Sequence, residues 1–264
     1  MCTASWLISP NGRGGYELLF NRDELLRRAP ALPPRRSRRS GVSFLTTVDG
    51  EAGGAWLAVN EFGLSLGLLN RYPRDPGSAE FHSPPDPVSR GLLVLEQIDA
   101  REPAEVEQRL GSADLRRFRP FTLLALGPEQ PPRLFAWNGK ALAREIEPTL
   151  PLVSSSVAES EALATRTQSW HVAGPPATVR GLLAFHRSHF PSASAASVCM
   201  HRLDAQTVSL TRVSVTAETV ALRYTPGPPC ERAAERKLHL PRNLASSRHL
   251  SRTFERSDGQ SAGT

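Results

Sequence analysis

From Met1 to Asn70 the chain is a succession of short apolar runs separated by turn clusters, and runs this short fit strands better than helices. Residues 3–8 and 16–20 flank Pro10-Asn11-Gly12-Arg13-Gly14-Gly15, which reads as a hairpin. Residues 42–48 form a third run. Residues 55–59 and 64–69 lie on either side of Asn60-Glu61-Phe62-Gly63, a second hairpin. Between the hairpins, Arg27, Arg28, Arg35, Arg36, Arg38 and Arg39 surround a proline-rich stretch predicted to be a loop. A chain that opens this way has to pair its strands into sheets and cover the apolar faces with later elements.

The later sequence supplies those elements. Leu92, Leu95 and Ile98 recur on one face of a predicted helix over residues 89–100, after a proline-rich loop at 71–87. Pro103, followed by Glu105 and Glu107, opens a second helix, with proline in the first turn and acids at the positive end of the dipole. Residues 121–126 read as a buried strand, and Asn138-Gly139 turns a hairpin between 134–137 and 140–146. A short strand at 152–156, helices at 158–170 and 177–187, and strands at 197–202, 208–215 and 220–224 complete the pattern. Strands, helices, strands, helices, strands is the order of an α+β layered fold rather than of strict βαβ alternation. The composition changes at Pro226-Gly227-Pro228-Pro229. One domain is therefore expected over residues 1–229, with a basic, poorly ordered tail at 230–264 carrying at most a helix over 230–238.

A chain of 264 residues can bury a core without a metal or disulfide staple. No apolar run approaches the 18 or so residues of a membrane span, and no basic segment followed by an apolar one marks a secretory signal, so a cytoplasmic location is expected. Cys2, Cys199 and Cys230 form neither a disulfide framework nor a metal-ligand spacing. His186 and His189 stand three apart, but without an acid or cysteine at ligand spacing, so neither metal nor cofactor is expected. The net charge of +6 is almost wholly arginine, since only Lys140 and Lys237 among 32 basic residues are lysine. No nucleic-acid motif accompanies the basic patches, and a nucleic-acid partner is set aside in favour of a small-molecule ligand. The oligomeric state is left open.

Three features carry possible chemistry. Cys2 follows the initiator Met, and removal of Met1 would place its thiol beside its own α-amine, which can then act as general base. Asn21-Arg22-Asp23-Glu24 ends the second strand, which a hairpin would bring next to Cys2. Alternation puts Asn21 and Asp23 on one face and Arg22 on the other. Asn70 ends a strand, where its amide can donate to an oxyanion. Taken singly, Cys2 reads better as a small buried residue and Asn21-to-Glu24 as a polar strand end or helix cap, and Asn70 also fits simple turn chemistry.

Taken in order, Met1-Cys2, Asn21-Arg22-Asp23-Glu24, Gly53-Gly54-Ala55-Trp56-Leu57-Ala58-Val59-Asn60, Leu69-Asn70-Arg71 and Ser89-Arg90-Gly91 resemble the NRDE family, that of transport and Golgi organisation protein 2. The resemblance implies a four-layer αββα sandwich of the N-terminal nucleophile hydrolase type. It also implies kinship with choloylglycine and penicillin V acylases, which cleave carbon–nitrogen amide bonds other than peptide bonds. By that resemblance Cys2 is nucleophile and base, Asp23 anchors the amine, Asn70 donates to the oxyanion, and Asn21 or Arg22 supports Cys2. The acylases space their arginine and aspartate as Arg-x-x-Asp, whereas Arg22 and Asp23 are adjacent here. Where the acylases carry a later asparagine, this chain has Ser154-Ser155-Ser156, with Ser155 taken as the substrate-binding residue. Arg202 is matched to the late catalytic arginine. The family also has members implicated in moving haem, which leaves a non-enzymatic binding or trafficking role, for haem or another hydrophobic metabolite, as the alternative.

Overall fold

The computed structural model describes residues 2–9, 14–72, 83–172 and 174–244. Among these, the strands in chain order are β1 (Cys2–Ile8), β2 (Tyr16–Leu25), β3 (Leu32–Arg39), β4 (Val42–Val48), β5 (Leu57–Asn60) and β6 (Ser65–Asn70). Helices α1 (Arg90–Gln97) and α2 (Pro103–Ser112) follow, then β7 (Phe121–Leu126), β8 (Arg133–Trp137), β9 (Leu142–Ile146) and β10 (Leu152–Ser154). Helices α3 (Glu159–Val172) and α4 (Val179–His186) precede β11 (Ala205–Val215), β12 (Thr219–Pro226) and β13 (Arg236–Pro241).

The strands form two antiparallel sheets, one in the order β10-β1-β2-β11-β12-β13 and the other in the order β3-β4-β5-β6-β7-β8-β9. Their facing surfaces enclose one core, built from alternate residues such as Ala4, Trp6, Leu18 and Phe20 on the first sheet and Leu57, Val59 and Leu124 on the second. The outer face of the second sheet packs on α1 and α2 through Leu66, Leu123, Leu93, Val94 and Val106. The outer face of the first packs on α3 and α4 through Leu19, Leu210, Trp170, Leu182 and Phe185. The result is helix, sheet, sheet, helix. No helix among the described residues is long and apolar enough to cross a membrane.

Two motif segments of the sequence turn out to be joints. Asn60 is fully buried. Its Nδ2 donates to the carbonyls of Ile98 (2.8 Å) and Ala100 (2.6 Å), and its Oδ1 accepts from the backbone N–H groups of Phe62 and Leu64. One side chain thus closes the β5–β6 turn and fixes the end of α1 to it, with every bonding site of the amide used. Gly54 and Gly91 face each other so closely that a Cβ on Gly54 would sit 2.7 Å from the Gly91 carbonyl carbon. Ala55 donates across this contact to Gly91 O at 3.0 Å. Only glycine lets these two backbones meet, and the contact seats the start of α1 against the entry to β5.

Three expectations are corrected. Residues 32–39 are a strand, not a loop. It lies at the sheet edge, where Pro33 and Pro34 are tolerated and a row of arginines keeps other chains from pairing. Residues 236–241 are likewise a strand rather than the end of a helix over 230–238, because Leu238 and Leu240 alternate inward onto the inter-sheet core. The first sheet therefore extends past residue 229. Residues 197–202 are irregular apart from a bridge between His201 and Gln206. The turn at 10–13, most of the loop at 71–87 and the tail from 245 lie outside the described residues.

Phe20 sits fully buried between the sheets and touches the face of Gly67. Phe20→Ala is expected to destabilise the fold by about 3–5 kcal/mol, read from the denaturation midpoint at constant slope.

Candidate active site

Cys2 opens β1 with its side chain on the inner face of the first sheet, 7% exposed. The register sets Arg22 of β2 opposite it on one side and Ser154 of β10 on the other. Residues directly opposite in an antiparallel pair point the same way, so the three side chains share the inner face. They lie at the end of the inter-sheet space, where a cleft of about 240 Å³ is lined by Cys2, Arg22, Asp49, Trp56, Asn70 and Arg90, among others. Burial pushes the Cys2 thiol above its ordinary pKa, and the Asp23 carboxylate acts in the same direction. Arg22 and a hydrogen bond from the Asp23 backbone oppose them.

Arg22 is held on all sides. Its Nη2 donates to Asp49 Oδ2 at 2.7 Å and to Glu24 Oε2 at 3.2 Å, and its guanidinium lies 4.6 Å over the Trp56 ring. The same two acids bind Arg28, which also pairs with Glu51. Burial works against the charge of Asp49. The Ala52 backbone N–H and the Arg28 and Arg22 guanidiniums outweigh it and hold the carboxyl below its ordinary range. Asn70 reaches the cleft from the end of β6, and its Nδ2 donates to Tyr72 Oη at 3.1 Å. Arg90 enters from the first residue of α1, and Arg119 lines the same wall. Burial pushes the Arg90 guanidinium below its ordinary pKa.

The other expected site residues divide by face. Asp23 lies on the opposite face of β2 from Arg22. Its Oδ2 accepts from Arg166 Nη1 at 3.0 Å and its Oδ1 from Thr207 Oγ1 at 2.7 Å, both in the layer between the first sheet and the helices. It also lines the cleft, where its backbone hydrogen-bonds the Cys2 sulphur and its carboxylate acts on the thiol. Asn21 shares that outer face and is structural: its Nδ2 donates to the carbonyls of His186 and Val198, which pins α4 and the following segment to β2. Ser155 points into its own turn, bonding Val157 O at 2.6 Å, while Ser154 is the serine that stands opposite Cys2. The Ser154 Oγ is buried without a hydrogen-bond partner among the described residues. Arg202 pairs with Asp204 in the turn before β11 and does not line the cleft. Asp49 and Arg119 carried no sequence signal. Arg90 stood inside the Ser89-Arg90-Gly91 motif, and Trp56, inside the Gly53-to-Asn60 motif, belongs at once to the core and to the cleft lining.

Two stacked antiparallel sheets between helix layers, with a cysteine at the head of an inner strand, define an N-terminal nucleophile hydrolase fold. Solved structures agree at 12% identity. Penicillin V acylase from Agrobacterium tumefaciens has a TM-score of 0.51 over 92% of this chain and 86% of its own. A mutant conjugated bile acid hydrolase from Clostridium perfringens scores 0.53 over 90% and 92%. The Caenorhabditis elegans ortholog of N-acylethanolamine-hydrolyzing acid amidase scores 0.54 over 80% and 92%. No curated protein sequence matches the chain. Residues 1–171 match the Transport and Golgi organisation 2 family, and the chain belongs to it.

Two measurements test the polar layer behind the site. Arg166 and Asp23 are both fully buried, so Arg166→Met removes the guanidinium paired with a buried carboxylate and is expected to cost about 3–5 kcal/mol in chemical denaturation. His186 is buried between Ser5 Oγ (2.8 Å) and Asn21 Oδ1 (2.9 Å). Burial first and Arg166 second depress its pKa from 6.5 to about 3. The unfolded chain takes up the proton first, so this contribution is intact above pH 6.5 and is lost as pH falls from there toward about 3, at about 1.4 kcal/mol per pH unit. Urea unfolding at pH 7 and pH 5.5 reads it, and equal stability at the two would contradict a neutral, sealed imidazole.

Proposed function

We propose that the cleft is the active site of a cysteine N-terminal nucleophile hydrolase that cleaves a non-peptide carbon–nitrogen amide bond in a small molecule. The observation that carries this reading is the placement of Cys2: inner face, head of a central strand, flanked by Arg22 and Ser154, with Asn70 on the facing sheet. Loss of Met1 frees the α-amine of Cys2, which takes the thiol proton. The sulphur attacks the amide carbon, and the oxyanion is met by the Asn70 amide. The carbon–nitrogen bond breaks as the α-ammonium returns its proton to the departing nitrogen, leaving a thioester. Water, deprotonated by the same amine, then releases the acid and restores the thiol. Arg22, anchored by Asp49, Glu24 and Trp56, keeps a positive charge beside the sulphur and favours thiolate. Asp23 supports the site from behind, through its backbone and through Arg166. The acids beside Arg22 and Arg28 match those charges, so Arg90 and Arg119 bias the cleft toward an amide bearing an acidic group.

The haem-binding alternative finds less support: among the described residues lining the cleft Cys2 is the one sulphur ligand, and none is histidine or methionine.

The hydrolase reading predicts that the purified protein begins at Cys2 and turns over at least one member of a panel of N-acyl amides that includes penicillin V, a conjugated bile acid and an N-acylethanolamine. Cys2→Ala should fall to the uncatalysed background. Intact-protein mass and product chromatography read both. Retention of Met1 in protein that is active, or activity surviving in Cys2→Ala, would sink the mechanism.

A further inference from the structure

On the far side of the first sheet from the cleft, the α4–β11 connection and the segment after β12 bring together His189, Cys199, His201 and Cys230, with one ligand atom of each lying within 4.8 Å of all the others. None of the four lines the cleft that holds Cys2. We propose that these residues form a structural zinc site of Cys2His2 type.

The three distances that meet at His201 Nε2 are those of a coordination tetrahedron. Zinc bonds of ordinary length set at tetrahedral angles put two nitrogens about 3.3 Å apart and a nitrogen and a sulphur about 3.6 Å apart. Here the Nε2 atoms of His189 and His201 are 3.2 Å apart, and His201 Nε2 lies 3.6 Å from Cys199 Sγ and 3.5 Å from Cys230 Sγ. Hydrogen bonding alone does not explain this arrangement. A ring nitrogen carries either one proton or one lone pair, so His201 Nε2 satisfies one of its three neighbours and crowds the other two. A cation at the centre satisfies all four groups at once. Two thiolates and two imidazoles form the soft, neutralising donor set that zinc prefers, and four protein ligands leave no open position, which marks a structural role rather than a catalytic one.

The surroundings fit a staple. The connection from α4 to β11, residues 187–204, contains no helix or strand, and irregular segments longer than about 12–15 residues are uncommon unless something holds them. Backbone bonds already fold it around the cluster: Cys199 N–H donates to Ser188 O at 2.9 Å and His201 N–H to Ser194 O at 3.1 Å. The Cys230 backbone hydrogen-bonds the Cys199 sulphur, as the groups behind metal thiolates commonly do. Cys199 is buried and Cys230 exposed, so the site is sealed below and open to an incoming ion above. Binding releases the two thiol protons and involves no redox step.

The test uses the full-length protein. After purification in zinc-containing buffer, elemental analysis is expected to give one zinc per chain. Cys2→Ala should keep it, and the Cys199→Ser/Cys230→Ser double variant should lose it. Because the double variant can fail to fold, the wild type is also stripped with a chelator and titrated with Co2+ alone. A thiolate-to-cobalt charge-transfer band and intense tetrahedral d–d absorption, saturating at one equivalent and bleached by one equivalent of Zn2+, are expected. Zinc below a tenth of an equivalent with no cobalt band would overturn the site. So would full metal retention in a folded double variant, or a Cys199–Cys230 disulfide in non-reducing peptide mass spectrometry of the freshly isolated protein.

Discussion

The Arg166–Asp23 ion pair is the contact on which the first sheet and its helix layer depend. Both side chains are fully buried, and together they join four elements: α3 carries the arginine, β2 the aspartate, β1 adds Thr3 to the same guanidinium at 2.5 Å, and β11 adds Thr207 to the same carboxylate at 2.7 Å. The same guanidinium donates to Ala196 O, and Thr207 Oγ1 accepts from Met200 N–H, so the irregular segment before β11 is drawn in as well. Buried charge is expensive, and this pair is held by the hydrogen bonds to Arg166 Nε and Nη1 and to both Asp23 oxygens, while Arg166 Nη2 has no partner among the described residues. The geometry that satisfies it also fixes which residue of β2 lies beside Cys2. With Asp23 turned outward to Arg166, alternation turns Arg22 inward to the cleft.

The outer face of the first sheet therefore carries a polar layer although the helices cover it. Thr3, Ser5, Asn21, Asp23 and Thr207 are all buried there, beside Leu19 and Leu210. Ser5 and Asn21 clasp His186, and Asn21 also holds Val198 O. Networks of this sort give a fold one register rather than extra stability, because a slip by one residue strands every member at once.

Much of this was legible in the sequence. The strand runs between Met1 and Asn70, the two hairpins flanking Asn60 and Asn138, and the Pro103 helix start follow from apolar period and turn chemistry, and the structure has them. The ordered motifs identified the family and, with it, the layered fold. The edge strands escaped because their residues look like loop: β3 is arginine and proline, and β13 follows a proline cluster that reads as an ending. Alternation within the Asn21-to-Glu24 segment did separate Arg22 from Asn21 and Asp23. What it could not show is which face looks into the cleft, since that depends on Arg166, in a helix far along the chain. Ser155 and Arg202 were chosen by position in a resemblance, and a one-residue shift along β10 or a local pair with Asp204 is enough to move such a residue off the site. The grouping of His189, Cys199, His201 and Cys230 left no trace in the spacing because its members stand at irregular intervals, three in the connection before β11 and the fourth beyond β12.

The register of the first sheet also sets an order in time. Cys2 is covered on one flank by β2, which is complete at Leu25, but on the other by Ser154, and β2 in turn waits for β11. Pairings so distant in sequence form late and slowly. During synthesis the head of β1 therefore stays open on that flank until well over half the chain exists. Once β10 docks, both flanks are paired, and the inner-face cleft at Cys2 is walled by strands made more than a hundred residues apart.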